Sequence, residues 1–432
     1  MTENFKRFGG SKEHNCHYTF YDSLNKSIKS NSDYLIPRGK GNSYVEASFL
    51  KSSTSIKTNN IDRIISFDKT KGIIELESGV TLGKLYNFLI KRNYYLSIQP
   101  GYPNISIGGC VASNVHGKNP SKDGLIEKLV IEIELFHKDF GLMKLSRKIN
   151  KKIFDLTIGG YGLTGLITKV KLKVSKIKSS FIIKKGIRVN GFKDAILKMN
   201  SVSDKADLFY VWMDLVSNSI STCQGVLVTG EFSKEESKSD RLIDYKSRKN
   251  LNLFNFYFRP TLKIINWIFK KKLVKKVKQD LKSFLFPAID NFLYFYLYGS
   301  KGFIEQQFLI PEKKVSSFLV ELENLLNSSK PLIVLATLKL FNGRRKNLHF
   351  NDSGVCITFD YCNNKNSIKF INNLYPLIIK HNGISNIIKD SLLNKKLVQL
   401  QYKKNFANFK KNLNDFDNKR VYQSLLSEKL GV

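Results

Sequence analysis

The chain has 432 residues, long enough for two domains with sizeable cores, and its 42% hydrophobic and 12% aromatic content excludes a disordered polymer. Its 71 Lys plus Arg against 36 acids give a formal net charge of +35, which fits a solvated lysine surface, a nucleic acid or an anionic lipid surface. No helix-turn-helix, zinc module or RNP-type aromatic pattern accompanies the charge, so nucleic acid is set aside.

The opening residues, from Met1 to Asn15, lack the apolar core of a signal peptide. No apolar run approaches the length of a membrane span, so a cytoplasmic or peripherally bound protein is expected. Arg38 to Tyr44 (Arg-Gly-Lys-Gly-Asn-Ser-Tyr) is a first glycine-rich segment and Gly101 to Asn119 a second. Each places small residues where a backbone passes close to a ligand, with amide N–H groups facing it, which suits a pyrophosphate. Between them the pattern predicts strands at Ile64 to Phe67 and Ile73 to Leu76 around a turn at Asp68 to Gly72, then a helix opening at Thr81 with Leu82, Leu85, Tyr86 and Leu89 on one face. A third cluster, Gly159 to Gly165, precedes an alternating strand from Leu166 to Val174. No Gly-x-Gly-x-x-Gly opens a helix directly after a strand, which argues against a Rossmann dehydrogenase.

Ser233 to Asn250 is polar and charged and reads as a mobile loop. Leu251 to Phe284 then interleaves Phe254, Phe256, Phe258, Ile264, Trp267 and Ile268 with Lys270, Lys271, Lys272, Lys275, Lys276 and Lys278, a basic amphipathic helix that suits either an anionic membrane surface or packing on its own domain. Five cysteines, Cys16, Cys110, Cys223, Cys356 and Cys362, are odd in number and widely spaced without a metal-ligand pattern, which fits a reducing compartment. No metal site is expected.

The order and spacing of the three glycine clusters resemble the FAD-binding (PCMH-type) domain of the vanillyl-alcohol-oxidase flavoproteins. The resemblance implies bound FAD and an α+β fold: an FAD-binding domain over 1–178, an antiparallel-sheet substrate domain with covering helices over 179–383, and a C-terminal return over 384–432 that completes the flavin site. His116-Gly117-Lys118-Asn119, Tyr210 to Asp214, Phe284 to Asp290, Tyr298 to Phe303, Gln306 to Pro311, Leu338 to Phe341 and Lys389-Asp390-Ser391 resemble a narrower branch, the flavoprotein subunits of decaprenylphosphoryl-β-D-ribose 2'-epimerase. That branch implies oxidation of the 2'-hydroxyl of a polyprenyl-phosphate-linked pentose in cell-envelope biosynthesis, with a separate NAD(P)H-dependent short-chain reductase completing the epimerisation. A flavoenzyme of the same fold acting on a soluble polyol, aldonolactone or nucleotide sugar, and a basic binding protein without turnover, are the alternatives.

The resemblance implies cofactor contacts at Arg38, Gly39, Lys40, Gly41, Asn42, Ser43 and Tyr44, at Gly101, Ser106, Gly108, Gly109, Cys110, Ala112, Ser113, Asn114, Val115, His116 and Gly117, and at Gly162, Gly165, Leu166 and Ile167. Lys389 is the candidate for positive charge beside the flavin and His116 for a second active-site role. Lys118 and Lys339 are candidate phosphate partners, and Trp212, Phe286, Glu305, Gln307, Cys356 and Thr358 line the expected substrate pocket. The chain departs from the family pattern at Asn42 to Glu46, which lacks an arginine and a glycine, at Gly354, where relatives often carry asparagine, and at Glu305, where they usually carry glutamine. Asn42 also stands in the loop where many covalent relatives carry histidine, so noncovalent FAD is expected.

Overall fold

A computed structural model describes residues 1–23, 34–235, 242–244, 254–287 and 293–432. Alternating side chains build a five-stranded antiparallel sheet in the order Ile64–Asp68, Ile73–Glu77, Leu166–Lys173, Val130–His137 and Gly141–Ser146. Ile74, Leu76, Ile133, Leu135, Val170 and Leu172 lie in one core with Leu82, Leu85, Tyr86 and Leu89 of the helix Leu82–Ile90, the arrangement that period-two strands and an amphipathic helix require. On the wet face Glu75, Glu132 and Glu134 pair with Lys144, Lys169 and Lys171. Thr81 caps the helix by accepting the Lys84 amide at 3.2 Å, a contact worth about 1 kcal/mol.

A four-stranded sheet runs Thr2–Phe5, His14–Phe20, Ser53–Lys57, Tyr34–Arg38, with the last two joins parallel. Its edge strand Tyr34–Arg38 delivers the chain into the first glycine loop, and Leu35 bridges to Tyr422 near the C-terminus.

The largest sheet is eight-stranded and antiparallel: Val277–Asp280, Phe181–Asn190, Gln224–Phe232, Leu208–Met213, Ile333–Phe341, Gly354–Cys362, Phe303–Pro311, Ile384–Ser385. On one face Phe308 and Tyr361 meet Phe318 and Phe370 of the helices Val315–Ser329 and Lys365–Lys380. Directly opposed residues share a face, so the register pairs Trp212 with Thr337, Thr337 with Thr358, Thr358 with Gln307, Lys339 with Cys356 and Glu305 with Asp360 put a polar row on the other.

The helix expected across Leu251 to Phe284 is shorter. It spans Arg259–Val274, because Lys275 turns extended and Val277–Asp280 pairs with Phe181–Asn190 as the edge strand; a short helix, Leu281–Leu285, follows. Lys275, Lys276 and Lys278 therefore leave the helix. Most of the loop expected from Ser233 to Asn250, the start of the helix expected from Leu251, and Ala288 to Asp290 lie outside the described residues. All five cysteines are buried and free, and among the described residues no helix is long and apolar enough to cross a membrane.

Candidate active site

A cleft of about 1110 Å³, its open mouth included, is lined by Gly39 to Tyr44, by Ser106, Gly108, Gly109, Ala112, Ser113 and Val115, by Gly162, Gly165, Leu166 and Ile167, and by Ile388 and Lys389. The two glycine segments touch only because both are small: a Cβ on Gly39 would lie 2.1 Å from Ser106 Oγ. Gly41 sits at φ +71°, a left-handed turn that glycine adopts without strain. The amides of Gly39, Lys40, Gly41 and Asn42 have no acceptor among the described residues, so this loop is a row of unpartnered donors, suited to anionic oxygens. The second segment differs from expectation. Its first amides are satisfied within the fold, Ile107 by Val80 O and Gly108 by Ser78 O at 2.8 Å each, and Gly109 by Ser106 Oγ at 3.3 Å; it supplies a small-residue wall. A donor row over a glycine-lined wall fits FAD.

Beyond the cleft, the polar face of the eight-stranded sheet gathers the remaining candidates. Lys389 Nζ lies 2.9 Å from Glu305 Oε1 and 3.9 Å over the Tyr44 ring. Glu305 also takes the Tyr44 hydroxyl, and burial followed by the Glu305 and Asp360 charges pushes the Tyr44 phenol well up. His116 Nε2 lies 3.2 Å from Gln307 Oε1, and its Nδ1 lies 3.1 Å from Gly117 O and 3.4 Å from Lys339 Nζ. A proton on Nε2 suits Gln307 Oε1, which can only accept, while Nδ1 stands between an acceptor, Gly117 O, and a donor, the Lys339 ammonium. Burial, then the Lys339 charge, holds the imidazole well below its usual pKa, so His116 is a neutral bridge between Gln307 and Lys339. Gln307 is fixed further by Asn386 Nδ2 donating at 2.6 Å and by its own amide donating to Thr358 Oγ1 at 3.0 Å. Cys356 is fully buried, and burial raises its thiol to about 12.

Lys339 also donates to Gly117 O at 3.1 Å. Burial lowers its pKa to about 8, and burial with the Lys339 charge lowers Lys118 to about 7. Neither ammonium has a carboxylate within ion-pair distance among the described residues, although Glu305 acts on Lys339 from farther away.

Several expected residues lie elsewhere. Arg38 turns its guanidinium 3.9 Å over the Phe5 ring and onto Ser48 Oγ at 2.7 Å, where burial lowers it to about 10. Cys110 lies on the back of its short helix in the core, and Asn114 donates to His349 Nδ1 at 2.9 Å. His116 and Gly117 lie off the cleft lining, beside Gln307 and Lys339, and Gly101 lies near Leu285 and Lys118. Trp212 shares the polar face of the sheet but is only 2% exposed, covered edge-on by Phe269 at 5.4 Å, and Phe286 is buried against Tyr86 at 5.9 Å; both are core.

Asp360, Tyr294 and Asn386 join the site without having been expected. Burial, then the Glu305 charge, raises the Asp360 carboxyl well above the usual range, and Tyr294 donates to its Oδ2 while Oδ1 is buried without a partner. The alternation that pairs Cys356 with Thr358 extends to Asp360 and was the available signal.

Residues 23–144 match the FAD binding domain family. The decaprenylphosphoryl-β-D-ribose oxidase of Mycolicibacterium smegmatis is 24% identical over 375 residues, 83% of this chain and 80% of that protein. Shorter matches join the D-lactate dehydrogenase of Anaerostipes hadrus, 27% identical over 29% of this chain and 28% of that protein, and the D-arabinono-1,4-lactone oxidase of Candida glabrata, 22% identical over 35% and 28%. With the matched domain, the donor-lined cleft and these relatives, the chain is an FAD-dependent oxidoreductase whose residues 23–144 carry an FAD binding domain.

Proposed function

We propose that this oxidoreductase takes a hydride from C2' and a proton from the 2'-hydroxyl of a polyprenyl-phosphate-linked pentose, as the oxidative half of an epimerisation that a separate NAD(P)H-dependent reductase completes. The observation that carries this reading is the Lys118 and Lys339 pair, two half-buried cations that repel one another with no close carboxylate to balance them. A phosphodiester beside the sugar supplies the missing negative charge; a neutral polyol or lactone does not. The substrate named for the M. smegmatis relative has the same chemistry.

The flavin, held noncovalently, supplies the hydride acceptor. Gly39 to Asn42 bind its pyrophosphate through backbone amides, and the Gly108 and Gly109 wall keeps its path open. Lys389 orients the reacting hydroxyl, and the Lys389–Glu305 pair receives its proton. The neutral His116 holds Gln307 and Lys339 in place, and Thr358 lies on the sheet face turned to the sugar, with Cys356 buried beneath it. We assign residues 1–178 to flavin binding, 179–383 to the substrate wall and 384–432 to the return that brings Lys389 to the cleft.

The test follows from the lowered lysine pKa values. Below about pH 7 both ammoniums are charged and the anion is bound; as pH rises through 7 and 8 each loses its proton. The KM for a phosphate-linked sugar should therefore climb by roughly tenfold between pH 7 and 9, while that for a phosphate-free analogue stays flat. Lys118→Met should raise KM for the phosphate-linked sugar at pH 7 and reduce the climb. Equal pH profiles for the two substrates would overturn the phosphate assignment.

A further inference from the structure

Six large apolar side chains stand in water within one short stretch: Phe254 (65% exposed), Phe256 (46%), Phe258 (49%), Ile264 (61%), Trp267 (54%) and Ile268 (55%). Elsewhere on the described surface such residues are more scattered, which is ordinary for a soluble protein, whereas a contiguous patch marks an interaction surface. The helix Arg259–Val274 buries Leu262, Asn266 and Leu273 and points Ile264, Trp267 and Ile268 outward, positions three and four apart that share a face. Ahead of it Phe256 and Phe258 pack edge-on at 6.0 Å.

The charge around this patch has one sign. From Phe254 to Gln279 the sequence contains no Asp or Glu. Lys263, Lys271 and Lys272 are exposed on the helix, and Lys271 Nζ sits 3.6 Å over the Trp267 ring. A basic helix with one buried seam and an outward apolar ridge is complementary to a surface whose outer layer is anionic and whose next few ångströms are hydrocarbon. Aromatic and aliphatic tips enter the acyl boundary while lysine stems lie along it with their ammoniums in the headgroups.

We infer that the face formed by Phe254 to Phe258 and the outer side of Arg259–Val274 docks on an anionic lipid bilayer, with the helix lying in the plane of the surface and spanning nothing. Its inner side is continuous with the catalytic end. Leu262 and Tyr257 share a cluster with Tyr298 and Phe303, and Phe303 packs 5.6 Å from the Tyr44 ring that lines the cleft. Docking thus sets the pocket close to the membrane. The inference goes beyond the substrate reading, since a flavoenzyme acting on a soluble sugar could dock in the same way.

Vesicle flotation of the full-length flavin-loaded chain tests it without substrate. With vesicles of phosphatidylcholine and phosphatidylglycerol at low salt the protein should float, and it should dissociate as salt rises. Lys263→Gln/Lys271→Gln/Lys272→Gln should weaken partitioning by about a hundredfold, taking about fivefold per lysine. Ile264→Ser/Trp267→Ser/Ile268→Ser should abolish flotation while the flavin spectrum stays unchanged, which shows that the variant is folded. A parent protein left at the bottom of the gradient at low salt overturns the inference. So does equal flotation of either triple variant, or equal binding to pure phosphatidylcholine. A concentration-dependent dimer that Trp267→Ser disperses, together with no lipid binding, would assign the face to a second copy instead.

Discussion

Lys389 would be hard to hold in a pocket of this kind without a counter-charge, and Glu305 at 2.9 Å provides it. Removing the ammonium leaves Glu305 without its ion-pair partner, a local cost, but takes nothing from the backbone amides of the first glycine loop. Lys389→Ala should retain FAD yet slow anaerobic bleaching by substrate about a hundredfold; unchanged bleaching would remove Lys389 from the chemistry. Asp360 makes a different case. A carboxyl whose pKa is raised on folding holds its proton more tightly in the folded chain, so it favours folding most below the ordinary carboxylate range. That contribution fades by about 1.4 kcal/mol per pH unit until the folded pKa is reached. Asp360→Asn is neutral at every pH, and its amide oxygen can accept from Tyr294 as the carboxyl does. Its stability relative to the parent should therefore improve as pH rises above about 4, read by urea unfolding at several pH values. A constant difference would show that Asp360 is ionised in the fold.

The Gly39 to Tyr44 loop and the Ile107–Ala112 segment meet through Gly39 and Ser106, and a Cβ on Gly109 would have Ser106 Oγ at 3.1 Å as its one near neighbour. An indole at position 109 must extend into the cleft, so Gly109→Trp should purify folded but colourless, checked by the ratio of flavin to protein absorbance; a full complement of flavin would put the cofactor elsewhere. These loops were readable from sequence because glycine and small residues report backbone approach locally. So were the Thr81 cap and the shared face of Cys356 and Thr358, each fixed by short-range periodicity. Trp212 misled because register decides its face but Phe269, 57 positions later, decides whether that face is open. Asp360 finds Tyr294 at |i−j| of 66 and Gln307 finds Asn386 at 79; spacing along the chain carries no trace of such pairings. The end of the helix at Val274 likewise depends on a strand partner from residues 181–190, outside any local window.

The flavin cleft and the polar sheet face meet at Tyr44 and Lys389, one residue from the first glycine loop and one from the C-terminal segment, so neither half is complete without the other. The cofactor should come free of the chain: after acid precipitation the supernatant should be yellow, since Asn42 offers no nucleophile and both His116 nitrogens face polar partners, Gln307 on one side and Gly117 and Lys339 on the other. Colour retained in the pellet would contradict noncovalent binding. The proposed substrate rests on the Lys118 and Lys339 charges. Purified flavin-loaded protein should be mixed without oxygen with a short-chain prenyl-phosphoryl pentose and, separately, with free pentose, polyol and aldonolactone at equal concentration, while the flavin absorbance is followed. The proposed function predicts rapid bleaching by the phosphate-linked sugar alone. Bleaching by a free polyol or lactone with none by the phosphate-linked sugar would contradict it.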